Sequence, residues 1–166
     1  MPFEIVRNDI TNMCVDAIVN SANPRPVVGL GTDSSIHEKA GPELLEERRK
    51  IGPIGVGEAA ITPAFRLSAK FVIHTVGPIV GMEVTEKQKE ELKSCYLSCL
   101  KLAEKSGLKS IAFCCISTGE FHFPNKLAAQ IAVETVDRYL SGSKLERVVF
   151  NVFKDEDLNV YRKIFR

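Results

Sequence analysis

The chain has 166 residues, 45% of them hydrophobic, with 22 basic and 21 acidic side chains and a formal net charge of +1. That length suits one domain spanning 1–166 and buries roughly 70% of the surface of the unfolded chain, so no disulfide or metal staple is required. The near balance of charge argues against nucleic acid as a partner, since that role calls for a basic face. No apolar stretch approaches the length of a bilayer span, and the N-terminal MPFEIVRNDI has no apolar run behind basic charge, so neither membrane nor secretory signal is expected. The cysteines (Cys14, Cys95, Cys99, Cys114 and Cys115) are odd in number and show no CxxC spacing, while His37, His74 and His122 are scattered. This reads as reduced thiols in a cytoplasmic protein rather than a zinc site.

In chain order, Phe3 to Val6 predicts a first strand and Val15 to Asn20 a second. Asp33 to Lys50 predicts a helix with Ile36, Ala40, Leu44 and Leu45 on its apolar side, the charge run Glu43 to Lys50 forming a solvated face. Glu58 to Pro63 and Lys70 to Val76 follow as strands. Thr85 to Ser106 is a long amphipathic helix stopped by Gly107. Ser110 to Ser117, SIAFCCIS, is an unbroken apolar run typical of a strand covered on both faces. Helices over Asn125 to Leu140 and Asp155 to Phe165 flank a strand over Val148 to Phe153. The alternation predicts an α/β fold with helices on both faces of a largely parallel sheet.

Ligands in such sheets bind beyond the carboxyl ends of the strands, which singles out two loops. The first, after the strand AIVN, holds Asn20, Asn23, Pro24, Gly29, Leu30, Gly31 and Thr32 before Asp33 opens a helix. Glycines at a helix N-terminus let backbone N–H groups approach a phosphate. Asn23 is also an ordinary turn former, and an acidic residue in a first helical turn is favourable for its own sake. The second loop, Ser117-Thr118-Gly119-Glu120-Phe121-His122-Phe123-Pro124, offers hydroxyls and backbone N–H groups to an anion. Phe121 offers a flat apolar surface to a sugar or base, whereas Phe123 reads as core. His37 and His74 read as structural, the latter as a satisfied core histidine, and Arg25 and Arg66 as exposed side chains.

Together these segments resemble the macrodomain family of ADP-ribose-binding modules. VDAIVNSAN is similar to the family's VDAIVNAAN, and Asn20 to His37 align without a gap to NAANxxLxGGGGVDGxIH. AGP (Ala40 to Pro42), GEA (Gly57 to Ala59), VIHTVGP (Val72 to Pro78) and ISTGEFHFP (Ile116 to Pro124) follow in order. The resemblance covers nearly the whole chain and implies a three-layer α/β/α sandwich with a mixed, largely parallel central sheet. It implies that Asp9, beside Ile10, accepts a hydrogen bond from an adenine amino group, although Asp9 also reads as a plain turn residue. It implies that Gly29 to Thr32 lie along a pyrophosphate, with Ser117, Thr118, Gly119, Glu120 and Phe121 closing from the other side. Asn23 would hold the distal ribose hydroxyls, and Asp33 would lie by its anomeric carbon. Phe153 matches an aromatic placed against adenine, with core packing an equal alternative.

The resemblance is strongest to the hydrolase branch, in which an Asn and an Asp stand where Asn23 and Asp33 do. Cleavage at the anomeric carbon builds oxocarbenium-like charge, which an ionised Asp33 would stabilise while orienting a water. The expected activity is hydrolysis of the ester joining ADP-ribose to protein Asp or Glu, with O-acetyl-ADP-ribose as a possible small substrate. A non-catalytic ADP-ribose reader is the alternative. No cofactor is expected, nor any metal, because the Cys and His ligands of the family's zinc-containing branch are absent from this loop. A monomer with ADP-ribosylated proteins as partners is expected. The sequence departs from the family pattern at Asn8, Leu30, Thr32, Ser34 and His122. Leu30 and Ser34 reshape the space beside the scissile bond.

Overall fold

The computed structural model describes residues 3–165. Six strands form one sheet: β1 (Phe3–Arg7), β2 (Ala17–Ser21), β3 (Ala59–Pro63), β4 (Phe71–Thr75), β5 (Ser110–Phe113) and β6 (Arg147–Val152). Their spatial order is β1-β6-β5-β2-β4-β3, with every pair parallel except the β3–β4 pair at one edge. Helix α1 (Thr32–Ala40) packs on β2 and α2 (Glu43–Ile51) on β3. Helices α3 (Glu86–Lys105), α4 (Asn125–Leu140) and α5 (Asp155–Ile164) pack side by side as a second helical layer. The result is the mixed α/β/α sandwich.

Local chemistry sets the boundaries. Thr85 and Gln88 close a reciprocal capping box at the start of α3, which satisfies two donors that the first turn would leave bare. The single helix expected over 33–50 is two helices. Gly41, at φ +96°, ends α1 by returning its N–H to the His37 carbonyl, and Pro42 then opens α2. The strand expected over 110–117 stops at Phe113. On that side β5 has only Ala17 and Ile18 of β2 as ladder partners. Cys114 and Ile116 remain buried in the loop, so the apolar run marks a covered segment and not a paired one.

The sheet residues Ile18, Val72, Ile73, Ile111, Phe113 and Phe150 and the α3 residues Leu92, Cys95, Tyr96 and Leu100 belong to one buried core. Each such side chain contributes about 1.5–3 kcal/mol by leaving water. Cys95, Cys99 and Cys114 behave as small buried hydrophobes, whereas Cys14 is exposed, and all five thiols are free. Burial pushes the Cys95 thiol up to about 11 and that of Cys114 up to about 12, so neither is a reactive thiolate. This rigid frame leaves the ends of β2, β5 and β6 free to carry loops.

Candidate active site

A cleft of about 510 Å³ opens beyond the carboxyl ends of β2, β5 and β6. The first loop gives it Asn23 and the run Gly29 to Asp33, the second loop Ser117 to Phe121, and the outer end Asp9, Ile10 and Phe153. Every site residue expected from the sequence lies on its wall except Asn20, which is fully buried behind it.

Asp33 sits in the first turn of α1 and is 3% exposed. Its Oδ1 accepts from Asn20 Nδ2 at 2.6 Å and lies 3.4 Å from His37 Nε2. Its Oδ2 accepts the Gly29 N–H at 2.6 Å. Burial raises the carboxyl pKa, but the hydrogen bonds from His37, Asn20 and the Gly29 amide outweigh it, so Asp33 titrates below its usual 3.8. A carboxylate has about four lone-pair positions, so three donors leave room for one more.

Asn20 is oriented from behind. Its second amide N–H reaches His74 Nδ1 at 3.2 Å, and His74 Nε2 lies 3.0 Å from Thr62 Oγ1. Since Nδ1 accepts, the ring proton sits on Nε2 and donates to Thr62. Burial, with Arg48 and then His37 nearby, pushes the His74 pKa down to about 3, so the ring stays neutral. The core-histidine reading of His74 thus extends to a chain, Thr62–His74–Asn20–Asp33, that ends at the cleft.

Arg48 corrects the expectation of a solvated face. It is 1% exposed, and its Nη2 donates to the Asn23 carbonyl at 3.3 Å. Burial lowers its pKa and the Asp33 charge opposes that fall. The guanidinium is drawn inward because α2 packs on the sheet edge directly behind the first loop, where a carbonyl and a buried anion offset its lost hydration.

Asn23 donates to the Val27 carbonyl at 3.3 Å, which folds the loop over itself. A Cβ on Gly29 would come within 2.7 Å of Asn23 Nδ2, so the glycine is what lets that amide lie flat on the loop. Across the cleft, Ser117 adopts φ +65° and its buried Oγ has no hydrogen-bond partner among the described residues. A Cβ on Gly77 would overlap that same Oγ, which gives the VGP segment after β4 its reason for glycine. The Phe123 N–H donates to the Ser117 carbonyl at 2.8 Å and the Val80 N–H to the Phe121 carbonyl at 2.8 Å, tying the second loop to its neighbours. Phe123 is core at 1% exposed, and Phe121 is partly buried against Ala22, Ile54 and Val76 while facing the cleft.

At the outer end, Asp9 Oδ1 accepts from the Thr11 N–H at 3.0 Å and the Thr11 hydroxyl at 2.6 Å, and Oδ2 lies 3.2 Å from Lys39 Nζ. The Thr11 hydroxyl holds the Asp9 carboxyl below its usual range against the opposing effect of partial burial. Asp9 is therefore a turn-capping residue that also lines the cleft. Phe153 is 70% exposed, so core packing is not its role. Eight lining residues escaped the sequence reading: Ser21, Ser35, Cys114, Cys115, Asn125, Asn151, Lys154 and Asp157. Asn125 Nδ2 donates to Asp157 Oδ1 at 2.7 Å, while burial and then Glu156 raise the Asp157 pKa. The signal for Asn151 was an amide inside the apolar strand VVFNV. Among the described residues no group of three His, Cys, Asp or Glu could hold a metal ion, and no helix is long and apolar enough to cross a membrane.

A family model described as Macro domain matches residues 19–132. The chain is 45% identical over 161 residues to human ADP-ribose glycohydrolase MACROD2, covering 96% of this chain and 38% of that protein. It is 46% identical over 171 residues to a protein-ADP-ribose hydrolase of Staphylococcus aureus, covering 96% and 64%. It thus spans less than two thirds of either relative's length. A macro domain-containing protein of Chlorobaculum tepidum is 47% identical over 95% of this chain and 92% of its own. Among solved structures, a variant of the Oceanobacillus iheyensis macrodomain with ADPR superposes with a TM-score of 0.95 at 36% identity, covering 98% of this chain and 91% of that one. The Trypanosoma brucei macrodomain in complex with ADP-ribose gives 0.93 at 36% identity, covering 99% and 69%. With the family model matching 19–132 and the same fold at 36% identity, this chain belongs to the Macro domain family.

Proposed function

We propose that the cleft binds ADP-ribose and that the protein hydrolyses the ester joining ADP-ribose to an aspartate or glutamate side chain of a modified protein. The observation that carries this reading is Asp33: an ionised carboxylate, braced by three donors, on the wall of a cleft of about 510 Å³. A reader has no use for a buried charge there. The names of the relatives, a glycohydrolase and a protein-ADP-ribose hydrolase, support the same reading.

In the proposed pose, adenine lies between Ile10 and Phe153 near Asp9. The pyrophosphate runs between Gly29–Thr32 and Ser117–Phe121, and Asn23 holds the distal ribose. The bond from the anomeric carbon to the protein carboxylate breaks with its electron pair leaving on the carboxylate. Asp33 stabilises the positive charge that develops at the anomeric carbon. Water adds there, oriented by Asp33 and a substrate phosphate oxygen, and its proton passes to the departing carboxylate. Asn23 contributes positioning. The same site would cleave O-acetyl-ADP-ribose, whose ester is smaller. No step calls for a metal. We further infer that the protein works in the reducing cytoplasm, on the strength of five free thiols, and near-neutral charge argues against nucleic acid as a partner.

The test is ADP-ribose release from a protein modified on glutamate, by wild type and Asp33→Ala, with ADP-ribose affinity measured for both. Release by wild type, lost in a variant that still binds, supports the assignment. Tight binding by wild type with no release from any ester makes the protein a reader.

A further inference from the structure

The buried residues of α2 are Leu44 and Arg48, one turn apart and so on one side of the helix. Leu44 belongs to the apolar core. Position 48 would suit another apolar residue, yet it carries a guanidinium that is 1% exposed. Burial strips such a charge of its hydration, and a well-packed apolar group in its place is often neutral or better for stability. The helix dipole does not explain it, because Arg49 and Lys50 also stand in the last turn of α2 and both are exposed. Arg48 Nε has no partner among the described residues. What the side chain does reach is the first loop of the cleft.

Arg48 Nη2 donates to the Asn23 carbonyl at 3.3 Å. Pro24 has no N–H, so the peptide unit joining Asn23 to Pro24 can be anchored by hydrogen bonding only through that carbonyl. The next carbonyl, that of Pro24, accepts the Ile54 N–H at 2.9 Å. Successive carbonyls of the first loop are thus held by α2 and the segment just beyond it. On the cleft side, the Asn23 amide bonds the Val27 carbonyl and lies against Gly29, whose N–H donates to Asp33 Oδ2 at 2.6 Å. The path Arg48–Asn23–Gly29–Asp33 therefore runs from behind the loop to the carboxylate.

We propose that Arg48 is a positioning residue for the cleavage: by holding the Asn23 carbonyl from behind, it fixes the peptide plane from which the Asn23 side chain meets the distal ribose. It acts through Asn23 and touches no substrate. This rests on the reading of the cleft as an ADP-ribosyl hydrolase site.

The experiment measures ADP-ribose release at saturating glutamate-modified protein, with ADP-ribose affinity by calorimetric titration, for wild type, Arg48→Met, Arg48→Lys, Asn23→Ala and the Asn23→Ala/Arg48→Met pair. In Arg48→Met, release should fall about tenfold or more, since small misplacements at the reacting sugar are costly in rate. ADP-ribose affinity should stay within about threefold, because the loss falls on the transition state and not on ground-state binding. Arg48→Lys keeps the charge and one donor, enough for the single bond made here, and should restore most of the release. In the Asn23→Ala background, Arg48→Met should add less than about twofold, since residues acting as one unit are not additive.

The same factor lost in both backgrounds would mean that Arg48 does not act through Asn23, and overturns the inference. So does an equal fall in release and affinity, or full release by Arg48→Met. Loss of the fold in both Arg48→Met and Arg48→Lys would make Arg48 a stability residue and overturn it too. Absence of release by wild type would sink the hydrolase reading, and this inference with it.

Discussion

The Asn20 side-chain nitrogen lies 2.6 Å from Asp33 Oδ1 and, through its other hydrogen, 3.2 Å from His74 Nδ1. Both acceptors lie on the nitrogen side of the amide, so the sense of Asn20 is determined without its oxygen, which has no partner. Asn20 holds the carboxylate, His74 holds Asn20, and Thr62 holds His74. The chain crosses from the sheet edge strand β3, through β4 and β2, to the first turn of α1. In a low-dielectric interior such a connected set is costly to break at any member.

Removing the middle of that chain tests it. His74→Phe keeps the ring volume but leaves the Thr62 hydroxyl and one Asn20 N–H without partners. We expect a loss of about 2–6 kcal/mol in urea unfolding, at roughly 1–3 kcal/mol for each orphaned group. Thr62→Val, which removes only the last link, should cost about 1 kcal/mol. In both variants saturating-substrate ADP-ribose release should fall further than ADP-ribose affinity, because Asp33 loses its fixed orientation while the walls of the cleft stay in place. Equal effects on release and affinity would refute the link to Asp33.

The same histidine makes stability depend on pH. Its ordinary pKa is 6.5 and burial pushes it down to about 3 in the folded protein. Between those values the unfolded chain binds a proton that the folded chain refuses, so stability is fully present above pH 6.5 and falls as pH drops toward 3. The slope from this one group approaches about 1.4 kcal/mol per pH unit below 6. Asp33 adds to acid sensitivity only below its ordinary 3.8, since its folded pKa is also depressed. Urea midpoints at pH 7.5, 6.0, 5.0 and 4.5 should therefore decline in wild type, and the part due to His74 should vanish in His74→Phe. Parallel profiles for the two proteins would show that His74 accepts its proton in the fold.

Two phenylalanines of one loop region and one strand end should behave oppositely. Phe153 is 70% exposed, so Phe153→Ala should change stability by less than about 0.5 kcal/mol. If its ring stacks on the base, ADP-ribose affinity should weaken by about 1–3 kcal/mol. Phe123 is 1% exposed, and Phe123→Ala should cost about 3–5 kcal/mol of stability. Thermal denaturation with calorimetric titration separates the two. A Phe153→Ala protein that binds ADP-ribose like wild type would remove the stacking role.

The fold was legible because its evidence is periodic and redundant. Alternating apolar strands and amphipathic helices report the layers, and the capping pair Thr85 and Gln88 marks the start of α3 within a residue. The two loops were legible because polar, proline- and glycine-rich segments after apolar strands have few structural excuses. What stayed hidden depends on contacts between distant segments. Arg48 lies in a run of charges, and only the packing of α2 behind the first loop takes it out of water. Asn20 reads as a loop amide, yet the pleat of β2 turns it inward onto His74, 54 residues away in sequence. Asn151 was the exception. A lone amide in VVFNV is a local anomaly, and it carried a signal that the reading of that strand passed over.

Gly29 offers the sharpest separation of folding from chemistry. It does not sit at a positive φ, so alanine is tolerated by the backbone there. The added Cβ would instead come within 2.7 Å of Asn23 Nδ2, which no side chain accepts without moving. The Asn23 amide is the end of a flexible side chain, so the protein can yield at little cost. Gly29→Ala should shift the melting temperature by no more than a few degrees, consistent with a change within about 1 kcal/mol. The displaced Asn23, however, is the residue assigned to hold the distal ribose, and a misplacement of about 1 Å at such a group costs up to about 100-fold in rate. ADP-ribose release at saturating substrate should fall by at least tenfold while the protein remains folded and still binds the nucleotide. If release is unchanged with Asn23 pushed aside, Asn23 does not position the reacting sugar, and the catalytic assignment contracts to Asp33 alone.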